Sequence, residues 1–143
     1  MIPCTDKGIG PLHTYTRGIK PHDKDVILIL SASSAIKFAQ DHFVRDLMEG
    51  PIPAKIANFK AFLAMTPQRA VEMPVIFFNE SPPVIFEGGR HRATVLGGMN
   101  QTVPVLTSER IALALSAHWG SKSTASTEYD FSSCKVQLFV GAP

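Results

Sequence analysis

Val84-Ile85-Phe86-Glu87-Gly88-Gly89-Arg90-His91-Arg92-Ala93-Thr94-Val95-Leu96-Gly97-Gly98 is the stretch on which the reading of this chain turns. An apolar run ends in two glycines, a basic triplet follows, and the next residues favour a helix. A second apolar run, Val103-Pro104-Val105-Leu106, comes soon after. The pattern predicts strand, tight turn, helix and strand, with the helix ending at Gly97-Gly98.

Such a turn is suited to an anion. The first turn of a helix leaves backbone N–H groups without intrahelical partners, and the macrodipole places partial positive charge there. Gly88 and Gly89 let backbone approach a phosphate closely. Arg90 and Arg92 offer planar forks that match phosphate oxygens, and His91 can change charge near neutral pH. The plainer reading is a simple turn followed by a solvated basic face, and the pattern alone leaves both open.

Composition sets the frame. The chain has 143 residues, 45% of them apolar, and a formal charge of +2. This fits a single globular domain that can bury a core without staples. The mild charge permits an anionic ligand without announcing a nucleic-acid binder. Cys4 and Cys134 lie near opposite ends without metal-ligand spacing, which reads as a reduced cytoplasmic protein, with a bridge between them as the minor alternative. No apolar h-region of a signal peptide opens the chain, and Val26 to Leu30 is far too short to span a bilayer, so no membrane insertion is expected.

Residues 1–25 read as an irregular, loosely basic arm, carrying Tyr15, Arg17, Lys20, His22 and Lys24. Val26 to Leu30 reads as a buried strand, with the following serines as helix caps. A helix is expected from Ser34 to Met48, with Ile36, Ala39, Phe43 and Leu47 inward and His42 on a solvated edge. Gly50-Pro51-Ile52-Pro53 ends it, and a second helix covers Ala54 to Ala64 with Ile56, Phe59, Phe62 and Leu63 on its apolar side. Gln68 to Glu72 reads as a polar connector. Pro74 to Phe78 is a strand, and residues 75–87 suggest a β-hairpin. After the strand at Val103 to Leu106, Thr107 or Ser108 caps a third long helix, with Ile111, Ala114, Leu115 and His118 on one face. Residues 121–133 form a polar loop, and Cys134 to Val140 a terminal strand.

Other constellations are weaker. Gly120-Ser121-Lys122-Ser123-Thr124 lacks the spacing of a phosphate-binding loop, although Lys122 at a loop tip could reach a nucleotide. The five histidines show no metal-binding spacing. Trp119, Tyr129, Phe131 and Phe139 could stack on a base, and for Tyr129 and Phe131, placed in the polar loop, core packing explains least.

The box Phe86-x-Gly88-Gly89-x-His91-Arg92, with Val103-Pro104-Val105 downstream, resembles the signature of the ParB/sulfiredoxin superfamily, over residues 83–106. Within it the resemblance is nearest to stand-alone plasmid fertility-inhibition factors. It implies a compact α/β (α+β) domain, a small mixed β-sheet flanked by helices. It also implies ATP or another nucleotide bound by Gly88, Gly89, Arg90, His91 and Arg92, with Mg2+ as a candidate companion. By the same resemblance the expected activity is ATP hydrolysis and DNA cleavage, acting to inhibit conjugative plasmid or T-DNA transfer. The implied partners are DNA and a component or substrate of a type IV secretion system. Sulfiredoxins carry a catalytic cysteine where this chain has Arg90, which argues against sulfinic-acid reduction. Relatives place an acid where this chain has Gly88. Glu87, one residue earlier, is the candidate general base or magnesium contact beside His91; strand alternation would turn it to the face opposite Gly88, unless a bend at the glycines cancels that. A non-catalytic binding module and a small-molecule kinase of the same fold are the alternatives.

Overall fold

The structure is a computed structural model and describes residues 1–7, 24–77, 85–118 and 127–139. Among these the chain runs β1 (Ile2–Thr5), β2 (Asp25–Ser31), α1 (Ala32–Arg45), α2 (Pro53–Leu63), β3 (Val71–Glu72), β4 (Val75–Phe77), β5 (Ile85–Gly88), α3 (Arg90–Met99), β6 (Thr102–Ser108), α4 (Glu109–His118) and β7 (Tyr129–Asp130). A four-stranded sheet has the order β2-β6-β4-β5, and a three-stranded sheet the order β3-β1-β7. The expected α+β class with a mixed sheet is what the chain forms: β2–β6 and β4–β5 pair antiparallel, β4–β6 parallel.

The centre is the β2–β6 ladder. Val26 to Leu30 are all buried, as are Val103, Val105 and Leu106, which is how a continuous apolar run reads when both sheet faces are covered. The free edge of β2 is closed by the C-terminal segment: Ile27 N–H donates to Gln137 O (2.9 Å) and Phe139 N–H to Ile27 O (2.8 Å). That bridge occupies one position of an edge that could otherwise pair with another chain. It also corrects the expected strand at Cys134 to Val140, of which the described part makes a single bridge, Ile27 to Leu138.

Ser31 caps α1, its Oγ accepting from Ser34 N–H at 3.3 Å. The helix ends at Arg45, three residues before the expected stop at Met48. Leu47 N–H donates to Val44 O and Met48 N–H to Phe43 O, a Schellman closure with Leu47 in the left-handed region at φ 60°. This closure turns Leu47 out to 96% exposure; Ile36 is also exposed, and the inward face is Ala35, Phe38, Ala39, His42 and Phe43. His42, expected on a solvated edge, is buried. Ala114 is exposed on α4, where Ile111, Ala112 and Leu115 face inward. Ser108 caps α4 through Ile111 N–H.

Three short strands lie where irregular chain is expected. β1 corrects the N-terminal arm, β3 the polar connector, and β7 part of the polar loop. Residues 2 and 3 pair with β7, and residues 4 and 5 with β3. Tyr129 is thereby a core residue, 2% exposed, its hydroxyl donating to Thr102 O and accepting from Asn100 Nδ2. Its ring is packed away from any base. Phe131, half-buried, stacks on it with centroids 6.2 Å apart. Phe139 is core, while Trp119, Lys122, the other residues of 121–126 and the side chain of His118 lie outside the described residues.

The motif helix α3 runs through Gly97-Gly98 to Met99 rather than ending there. Gly97 is a contact glycine. A Cβ there would stand 2.8 Å from Ile36 Cγ1 and 3.3 Å from Ala32 O, so its absence lets α3 pack closely on α1. α3 also packs on α2, and this wedge between α1 and α2 positions the site. Both cysteines are free thiols, Cys134 Sγ donating to Cys4 O at 3.4 Å. Burial, with the charges of Cys134 and Asp130, pushes Cys4 up to about 12, and burial with nearby Asp6 and Asp130 pushes Cys134 up to about 11. The bridge held as a minor alternative is not formed.

Candidate functional site

The β5-to-α3 turn is built as the sequence suggests, but its residues part company. Gly89 is the N-cap of α3 at φ 91°, ψ 17°, with no side chain bonded across the cap, and Ala93 N–H closes the first turn onto Gly89 O at 2.8 Å. Successive helical residues point about 100° apart, so Arg90, His91 and Arg92 leave in three directions.

Arg90 turns to α1. Its guanidinium bonds the Asp46 carboxylate, touches Met48 Sδ at 3.4 Å and lies 4.9 Å from the Phe43 ring centroid. That contact holds the Asp46 carboxyl below its usual range. His91 turns to the linker before α2. Its Nε2 accepts Ile52 N–H at 3.0 Å, and its ring meets Phe43 edge-on at 5.1 Å. Burial, then Lys55 and Arg90, push its pKa down, in keeping with an Nε2 that accepts from the Ile52 N–H. Arg92 turns into a cleft. It is partly buried, its Nε has no hydrogen-bond partner, burial lowers its pKa, and the nearby Glu72 partly offsets that.

This cleft has a volume of about 970 Å³. Its floor is Gly89, His91 and Arg92. One wall is α2, through Lys55, Asn58, Phe59 and Phe62; the other is the approach to β3, through Arg69, Ala70 and Glu72, with Lys7 at the rim beside Thr5 and Ser133. Four fixed cations (Lys7, Lys55, Arg69 and Arg92) thus face one carboxylate among the described lining residues. Of the residues expected at the site, Gly89, His91 and Arg92 come together here. Arg90, Gly88 and Glu87 are not among the lining residues. The β4–β5 register shifts between Val75 and Ile76, pairing them with Gly88 and Phe86, with Glu87 as the inserted residue. Glu87 and Gly88 are therefore both exposed, and simple alternation does not hold.

Sequence reasoning missed Lys55, Asn58, Arg69 and Glu72, whose only signal was polarity, and it read Phe59 and Phe62 as core. No group of three or more His, Cys, Asp or Glu side chains among the described residues converges on a metal position. Glu72, beside the cation cluster, is the one lining carboxylate that could meet a phosphate-bound Mg2+, an ion that needs few protein ligands.

A second polar chain supports the turn from behind. Phe86 N–H donates to His42 Nδ1 at 3.2 Å, and His42 Nε2 lies 3.5 Å from Asp46 Oδ2, the acceptor of Arg90. Burial first, then Arg90, lowers the pKa of His42, against the opposing pull of Asp46. A histidine held neutral in the fold contributes stability above its unfolded value of about 6.5, and that contribution is lost as pH falls from there through the folded value. His42→Gln, whose side-chain oxygen can accept from Phe86 without titrating, will reduce the slope of stability against pH between about pH 7 and 5. Denaturant melts across that range check it; an unchanged slope overturns the role of His42.

No protein family described by a sequence model matches the chain, and no curated protein does. Among solved structures it is similar to the Oncogenic Suppression Activity Protein, a plasmid fertility inhibition factor, solved as a gold(I) cyanide derivative. The TM-score is 0.49 and the identity 18%, over 68% of this chain and 57% of that one. The chain therefore spans little more than half the length of that protein. Among the described residues no helix is long and apolar enough to cross a membrane.

Proposed function

We propose that the protein binds a nucleotide by its phosphates in the cleft at the Gly89–Arg92 turn. We further propose that it uses this site as an ATP-hydrolysing, DNA-processing enzyme that inhibits conjugative DNA transfer through a type IV secretion system. One observation carries the binding reading. α3 has three basic or ionisable residues and no acid in its first turn, and its N-cap lacks a side-chain bond. It opens into a cleft where four cations face one carboxylate and where Arg92 Nε has no partner. Arg92, positive at the positive end of the helix, repels the dipole, and an anion in the cleft removes that conflict. The transfer-inhibition part rests on the resemblance of the Gly89-Arg90-His91-Arg92 box and Val103-Pro104-Val105 to fertility-inhibition factors.

In this reading Gly89 and Arg92 hold the phosphates, Lys55 and Arg69 balance their charge, and Glu72 meets Mg2+ or the attacking water. Glu87, placed outside the lining, is the competing acid. Calorimetry with ATP, ADP, CTP and inorganic triphosphate, each with Mg2+, tests it. The expected result is saturable binding that weakens with salt, and hydrolysis that falls in Glu72→Gln more than in Glu87→Gln. Absence of binding to every one of these ligands would sink the proposal. A second reading, a non-catalytic binding module, is favoured by one contact: His91 Nε2 already accepts the Ile52 N–H. ATP turnover that depends on Glu72 or His91 counts against it.

A further inference from the structure

The α2 wall of the cleft is unlike the rest of the protein. Of the other described phenylalanines, Phe38, Phe43, Phe86 and Phe139 are 1–5% exposed, and half-buried Phe131 is stacked on Tyr129. Phe59 and Phe62 are only half-buried, although they lie one helical turn apart on the side of α2 that packs on the core. Their rings lie nearly parallel, 11° between planes and 6.1 Å between centroids, and both line the cleft. Leu63 is the one residue of α2 that is buried. Exposed Asn58 stands next to Phe59 on the same wall, one turn beyond Lys55. The cleft thus has Arg92 and a helix N-terminus at its floor, and two aromatic rings and a carboxamide following Lys55 along one wall.

We propose that Phe59 and Phe62 are the base-stacking platform of this site, that Asn58 reads the edge of the stacked base, and that the ligand is a nucleoside triphosphate rather than a simple phosphate. The inference rests on the phosphate-binding reading above and adds to it the part of the ligand that gives selectivity. Aromatic rings with exposed faces hold bases of any kind, and larger ring systems stack more strongly. A carboxamide offers a donor pair and an acceptor, the complement of a base edge. An apolar ligand without charge does not suit the cleft, because four cations line it. Inorganic triphosphate suits the floor but leaves the wall wet.

The test compares two ligands on the same protein. Wild type should bind ATP about tenfold or more tightly than inorganic triphosphate, since stacking on aromatic side chains strengthens binding to that order. In Phe59→Leu/Phe62→Leu, which keeps the apolar packing, ATP affinity should fall to that of inorganic triphosphate while the latter holds its wild-type value. Asn58→Ala, an exposed position with no packing to lose, should narrow the difference between adenine and cytosine nucleotides. Equal affinity of wild type for ATP and inorganic triphosphate, or a Phe59/Phe62 variant that keeps the ATP preference, overturns the platform and leaves the phosphate site standing. Failure of both ligands to bind wild type overturns both.

Discussion

Arg92→Ala will weaken binding of a nucleoside triphosphate roughly 30-fold, about 2 kcal/mol for a lost charge-assisted contact, without lowering the melting temperature. Arg90→Ala will do the reverse. The two residues stand two apart in one basic triplet, yet their surroundings differ in kind. Arg92 is partly buried, with its Nε bonded to nothing and burial lowering its pKa. A cation held in that state costs the fold free energy, so removing it leaves stability unchanged or raised. Arg90 is satisfied within the protein by Asp46, Met48 and the Phe43 ring. Its loss removes the cation–π contact, about 1 kcal/mol, or roughly 3 °C for a chain of this size, while phosphate binding persists. Arg92→Lys should recover part of the affinity, because a point charge replaces a fork. Calorimetry and thermal melts on the three variants decide the matter. Equal affinity losses at positions 90 and 92 would show that the division of labour in the triplet is wrong.

That division also marks how far the sequence could be read. Long apolar runs and caps were legible because their cause is local. Val26 to Leu30 is buried on both faces, Ser31 and Ser108 accept from the helix turns they precede, and Val75 to Gly88 folds back on itself. The turn at Gly89 was legible for the same reason. β1, β3 and β7 were not. Each is two to four residues long, too short to show a period, and each exists because a distant segment pairs with it. Tyr129 looked like a loop aromatic until β7 placed it against Thr102 and Asn100. His42 looked solvated because nothing local shows that Phe86 N–H needs an acceptor there. The cleft wall was invisible for a subtler reason. Phe59 and Phe62 do lie on the apolar side of α2, as their spacing implies. A helix pattern states which side is apolar, but not whether a neighbour covers all of it. The same holds for the basic triplet. Helical geometry separates Arg90, His91 and Arg92 by angle, and only the elements around them decide which angle faces a ligand.

The second large effect separates the two glycines of the box. Gly89→Ala should destabilise the protein by about 3 kcal/mol, the sum of a left-handed backbone penalty and a steric one, whereas Gly88→Ala should be nearly silent. Gly89 sits at φ 91°, where any side chain is strained. A Cβ there would also meet Pro74 Cα at 2.8 Å and Arg92 Nη2 at 2.8 Å. Pro74 is backbone, its carbonyl bonded to Leu106 N–H at 2.8 Å, so it cannot retreat without opening the β4–β6 contact. The guanidinium can move, but only away from its place in the cleft. A Gly89→Ala protein that still folds will therefore bind triphosphate weakly as well, tying the stability defect to the binding defect through one atom. Gly88 has no positive φ and nothing within 4 Å of its added Cβ, so alanine fits the strand there. Thermal melts of the two variants, with triphosphate titrations of whichever fold, test both halves. A Gly89→Ala variant with wild-type stability and affinity would mean the chain can form this turn another way, and the close packing of Gly89 on Pro74 and Arg92 would no longer explain why the turn needs glycine.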